Sequence, residues 1–86
     1  MTESCVTLTD LTEGETGKID HLSLPEEDQQ FLMRIGFVPG TEVRFCRSAP
    51  LGDPKVYMID GTQIALRAET AARIFVSRST HPGRGL

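Results

Sequence analysis

The stretch "LGDPKVYMIDGTQIALR" at residues 51–67 decides the fold. It sets two short runs, "KVYMI" and "TQIAL", on either side of Asp60-Gly61. Both central positions of a two-residue type I′ turn need positive φ, and Asp-Gly is among the pairs that supply it best. "TQIAL" therefore pairs back on "KVYMI", which is apolar at nearly every position and reads as a central strand. The glycines of this stretch raise a rival reading, a phosphate cradle. A cradle needs glycine-bearing backbone amides at a helix N-terminus, often with a following Lys-Ser or Lys-Thr. Gly61 belongs to the hairpin, and Gly52 lies between Pro50 and Pro54 in a loop that opens no helix. Both are turn residues.

Upstream, "CVTLTDL" puts Val6 and Leu8 two apart, the alternation of a short half-buried strand. Gly14 and Gly17 bracket a turn before "KIDHL", a second strand holding Ile19 and Leu22. A helix is expected over about residues 24 to 35, roughly three turns. Ser23 is its candidate N-cap, Glu26 completes a capping box, and Pro25 suits the first turn. Glu26, Glu27 and Asp28 lie where the positive end of the helix dipole favours acids. Phe31, Leu32 and Ile35 supply its apolar stripe, and Gly36 fits a left-handed cap. Pro39-Gly40 then turns the chain into a strand in which Val43 and Phe45 face inward and Cys46 falls on the charged, outward parity.

Downstream, "RAETAARIFV" starts as a short helical turn and ends in a β-type triplet. The tail "SRSTHPGRGL" is polar and is expected to be disordered from residue 79. The ordered domain should therefore span residues 1–78, with 79–86 as the tail. Five or six short strands, tight turns and one substantial helix give a mainly β fold, a small closed or nearly closed barrel. Closure removes sheet edges that would otherwise invite aggregation.

A chain of 86 residues makes one domain. Domains this small bury only roughly 60% of the surface that the unfolded chain exposes, which leaves no room for a deep catalytic cleft. No apolar run approaches the roughly 18 residues that a transmembrane helix requires. The opening "MTESCVTLTD" lacks the basic and apolar regions of a signal peptide, so a cytoplasmic location is expected, with Cys5 and Cys46 reduced. Charge is uneven. Residues 1–30 hold eight acids against Lys18 alone, and the remainder holds eight bases against four acids. The two halves are expected to interleave and partly cancel.

Catalytic patterns are missing: there is no nucleophile elbow, no His-Glu-x-x-His and no Cys-x-x-Cys. The chain reads as a non-enzyme with no cofactor. Side chains able to bind a transition metal are Cys5, His21, Cys46, His81 and the run Glu26 to Asp28. His21 and the two thiols converge only if the fold aligns three strands, and the acidic run is already explained by the dipole, so no metal site is assigned. Nucleic-acid binding would draw on Phe37, Tyr57 and Phe75 as stacking rings, yet all three suit a core, and the composition is acidic. What remains is work through a surface. In "SAPLGDP", Leu51 stands between Pro50 and Gly52, where it either projects from a rigid tip or folds back over one barrel end.

The segments "LTDLTEGETGKIDHL", "FLMRIGFVPGTEVRF" and "APLGDPKVYMIDGTQIALRAETAARIFV" together resemble the FeoA (ferrous iron transport protein A) domain over about residues 5 to 77. Each is weak alone; their order and spacing together are specific. The resemblance implies an SH3-like β-barrel and a stand-alone cytosolic accessory protein of bacterial ferrous iron uptake. Its implied partner is the membrane transporter FeoB, through the cytosolic GTPase domain or the membrane region. The same barrel ends iron-dependent repressors, but no helix-turn-helix precedes it here, so operator binding is not expected. Leu11, Gly14, Gly36, Pro39, Gly40, Gly61, Leu66 and Ala71 match as structural positions, and Leu51, Gly52, Asp53 and Pro54 match the loop that we expect to contact the partner. Thr70 departs from the Glu expected before Ala71. The alternatives carried forward are a small Fe2+ or Zn2+ carrier and, behind it, a nucleic-acid-binding barrel; weak self-association is left open.

Overall fold

The computed structural model describes residues 5–78, and the tail expected to be disordered lies outside the described residues. The elements run β1 (Cys5–Thr7), a 3-10 turn (Leu8–Asp10), β2 (Thr16–Leu22), α1 (Glu26–Arg34), β3 (Glu42–Ser48), β4 (Lys55–Ile59), β5 (Thr62–Leu66), α2 (Ala68–Ala71) and β6 (Ile74–Arg78). The six strands form one antiparallel sheet in the order β1-β6-β2-β3-β4-β5. The hairpin expected at Asp60-Gly61 is present. Ile59 pairs with Thr62 across Asp60 and Gly61, whose φ angles are 52° and 79°.

The sheet curls until side chains from both its ends share one core. Leu8, Leu11, Ile19, Val43, Tyr57, Leu66, Ala71 and Val76 all belong to this buried cluster. The Tyr57 hydroxyl donates to the Leu8 carbonyl at 3.3 Å, joining β4 to the turn after β1. Among the described residues no ladder joins β1 to β5, so the barrel they form is nearly closed rather than closed, with β5 at an edge. Leu11, Leu66 and Ala71 are core, as expected. Acidic and basic segments interleave: Arg78 on β6 donates through Nε to Glu15 Oε2 at 2.7 Å.

Several local expectations are corrected. Helix α1 is shorter than expected and its N-cap is Pro25, with no side-chain cap. Ser23 lies two residues outside, where its backbone N–H donates to the Arg73 carbonyl. The Gln29 amide instead reaches back to the Leu24 carbonyl at 2.8 Å. Of the predicted apolar stripe only Leu32 is buried; Phe31 is 59% exposed and Ile35 is also outside. Cys46 is half-buried rather than outward, because a register shift between Phe45 and Arg47 breaks the alternation on β3. A second shift, between Ile19 and His21 on β2, explains how Ile19 and Leu22 both face inward at a spacing of three.

Candidate functional site

The loop between β3 and β4 is built to hold one apolar side chain outward. Ser48 and Lys55 pair at its base. Above them the Ala49 N–H donates to the Pro54 carbonyl at 2.9 Å, and the Gly52 N–H donates to the Ala49 carbonyl at 2.7 Å. Gly52 adopts φ of +90°, a left-handed conformation that glycine takes without strain. Leu51, at the apex, is 95% exposed. The reading in which it folds back over the barrel end is thereby overturned.

Asp53 has a role that its sequence position did not announce. Its Oδ1 accepts the backbone N–H of Ala68 at 2.8 Å, satisfying an unpaired donor in the first turn of α2. The loop is thus tied to an element 15 residues away. Pro54 closes the loop, and the Asp53-Pro54 peptide is cis.

Beside the loop the surface is grooved. One open depression of about 420 Å³ is lined by Asp53, Pro54, Ala65 and Arg67. A second, of about 270 Å³, shares Ala65 and Arg67 with the first and continues to Phe31 and Thr70. Asp53 and Pro54 of the loop, Ala65 on β5 and Phe31 on α1 therefore border two adjoining depressions that share Ala65 and Arg67. Phe31 was missed by the sequence reading because over a short helix the apolar periodicity did not say which of two adjacent residues, Phe31 or Leu32, would face the core.

On a different face, β1 and β2 flank β6 and bring Cys5, Asp20 and His21 together, with one donor atom of each within 4.8 Å of the others. His21 Nδ1 lies 2.6 Å from Asp20 Oδ2, and its ring stacks on Phe75 with centroids 4.7 Å apart and planes 5° from parallel. Cys46, on β3, is not part of this group, and His81 lies outside the described residues. Phe37 and Tyr57 are fully buried, so neither is available for stacking on a base, and Phe75 is half-buried beneath His21. Burial pushes the Tyr57 hydroxyl far above its ordinary range. The hydrogen bond from Arg78, aided by the Thr12 N–H, holds the Glu15 carboxyl below its ordinary value. Among the described residues no helix is long and apolar enough to cross a membrane.

Comparison with known proteins fits this architecture. Residues 6–78 match the FeoA domain. The solved FeoA protein of Chlorobium tepidum is 26% identical, with a TM-score of 0.84 over 92% of this chain and 76% of that one. Stenotrophomonas maltophilia FeoA, a prokaryotic SH3 domain protein solved in complex with zinc, is 31% identical, with a TM-score of 0.72 over 83% of this chain and 88% of that one. Iron(II) transport protein A from Clostridium thermocellum is 36% identical, with a TM-score of 0.81 over 86% of this chain and 46% of that one. No curated protein matches. The curled six-stranded sheet is the SH3-like fold of these relatives, and the chain belongs to the FeoA domain family, a transport accessory family associated with ferrous iron uptake.

Proposed function

We propose that this domain is a non-enzymatic, cytoplasmic accessory protein of ferrous iron uptake that docks on a FeoB-type membrane transporter through the Leu51 loop. The observation that carries the reading is the exposure of Leu51, 95%, at the tip of a loop pinned by two backbone hydrogen bonds and by Asp53. A leucine held outward on an ordered loop loses little freedom when a partner pocket closes around it. Full burial of a leucine side chain in a partner pocket is worth about 1.5 to 3 kcal/mol, and a polar rim around the contact keeps water out. Arg67 and the shallow groove beside Pro54 supply such a rim. The domain then acts by favouring whichever transporter conformation it binds better, with no bond made or broken.

The test is a calorimetric titration of the chain into the cytosolic GTPase domain of the transporter, with GDP and with a non-hydrolysable GTP analogue. Saturable binding in at least one nucleotide state, weakened tenfold or more by Leu51→Asp, supports docking through the loop. Binding that Leu51→Asp leaves unchanged moves the interface elsewhere on the barrel. No binding in either state removes the GTPase domain as the partner.

A further inference from the structure

We propose that Cys5, Asp20 and His21 form a mononuclear site for a divalent transition metal on the outer face of strands β1, β6 and β2. Regular alternation along β2 would put Asp20 and His21 on opposite faces of the sheet. The register shift between Ile19 and His21 inserts Asp20 as an extra residue, so that both point outward while Ile19 and Leu22 remain in the core. Bulges commonly re-aim side chains next to functional sites. From the other side of β6, Cys5 arrives opposite Ser77. Ser77 is small, and across it a thiol can reach toward β2.

The His21 ring is held in place twice, by its stack on Phe75 and by the 2.6 Å contact of Nδ1 with Asp20. Sulfur, nitrogen and oxygen donors thus converge within 4.8 Å on a partly fixed framework. A tetrahedral ion with bonds of about 2.0 to 2.3 Å keeps its donors roughly 3.3 to 3.8 Å apart. The exposed side chains reach that spacing by small rotations. The ion takes the place of the proton between Asp20 and His21: the neutral ring then carries its proton on Nε2, Nδ1 and the carboxylate become ligands, and the Cys5 thiol releases its proton on binding as thiolate. A mixed thiolate, imidazole and carboxylate set suits borderline ions such as Zn2+, Fe2+ and Co2+ and does not suit Mg2+ or Ca2+. Three protein ligands leave a fourth position for water or an incoming donor, the pattern of an exchangeable site and not a structural one.

The site stands apart from the β3–β4 loop, so its test is independent of docking. The full chain, kept reduced with a non-chelating phosphine, is titrated with Co2+ and followed by absorption. The expected result is a thiolate-to-cobalt charge-transfer band that saturates at one ion per chain, vanishes in Cys5→Ser, and needs at least tenfold more Co2+ in His21→Ala and in Asp20→Asn. Cys46→Ser and His81→Ala should bind like the parent chain, and circular dichroism should show every variant folded. Lack of the band, its persistence in Cys5→Ser, insensitivity to His21→Ala, or saturation at one ion per two chains would overturn the proposal.

Discussion

The Asp53 carboxylate accepts the Ala68 backbone N–H at 2.8 Å, so a residue of the Leu51 loop also caps the helix after β5. The loop and α2 are therefore ordered together, although they are separated by the whole β4–β5 hairpin. Removing the acceptor should cost about 1 kcal/mol, the usual loss when a helix N-terminal donor loses its cap. Asp53→Ala should lower the urea midpoint accordingly, and Asp53→Asn, which keeps a side-chain oxygen, should lose less.

Leu51 makes the opposite prediction. A side chain 95% exposed contributes almost nothing to the core. Leu51→Asp should leave stability within about 0.5 kcal/mol of the parent chain. A larger loss in chemical denaturation would show the residue to be packed.

Tyr57 seals the two ends of the sheet. Its ring is fully buried and its hydroxyl donates to the Leu8 carbonyl. Tyr57→Phe keeps the ring and should cost about 1 kcal/mol. Tyr57→Ala leaves a cavity as well and should cost about 3 to 5 kcal/mol, enough to threaten folding of so small a domain.

At Gly17, β2 leaves no room for a side chain against β6. A Cβ there would lie 3.1 Å from Val76 Cγ2 and 3.2 Å from the Ser77 carbonyl oxygen. Part of that contact is backbone, which cannot rotate aside. Gly17→Ala should lose about 1 to 3 kcal/mol through overpacking, read as a fall in the thermal midpoint.

Acid sensitivity should trace in part to Glu15. Its carboxyl is held below the ordinary glutamate value chiefly by the Arg78 hydrogen bond, so across that interval the folded chain binds fewer protons than the unfolded one. The pair's contribution is complete above the ordinary glutamate range and fades as pH falls through the folded value. Glu15→Gln should therefore melt below the parent chain at neutral pH, and the gap should narrow in acid. A gap that widened in acid would reverse the sign of the linkage.

Much of the architecture is legible in the residues themselves, because it rests on local chemistry. Asp60-Gly61 permits only a tight hairpin, Gly36 ends the helix, and Pro50 and Gly52 lift Leu51 away from the barrel. The remainder depends on register. Asp53 finds its partner 15 residues on, which no local pattern encodes. Cys5 and His21 meet only because β6, the last strand, inserts between the first two. The bulge at Asp20 left one trace, the spacing of three between two inward residues, Ile19 and Leu22. Ser23 misled because a Ser-x-x-Glu pattern signals a cap wherever it occurs, whereas here Pro25 takes the cap position itself.

Amide chemical-shift mapping of the isotope-labelled chain against the cytosolic domain of the FeoB-type transporter tests the docking account most directly. The account predicts that the perturbed amides cluster at Leu51 and Gly52 and extend to Ala65 and Arg67 along the edge of β5. Perturbations confined to the outer face of β1, β6 and β2, or none at a saturating concentration of the partner, would contradict it.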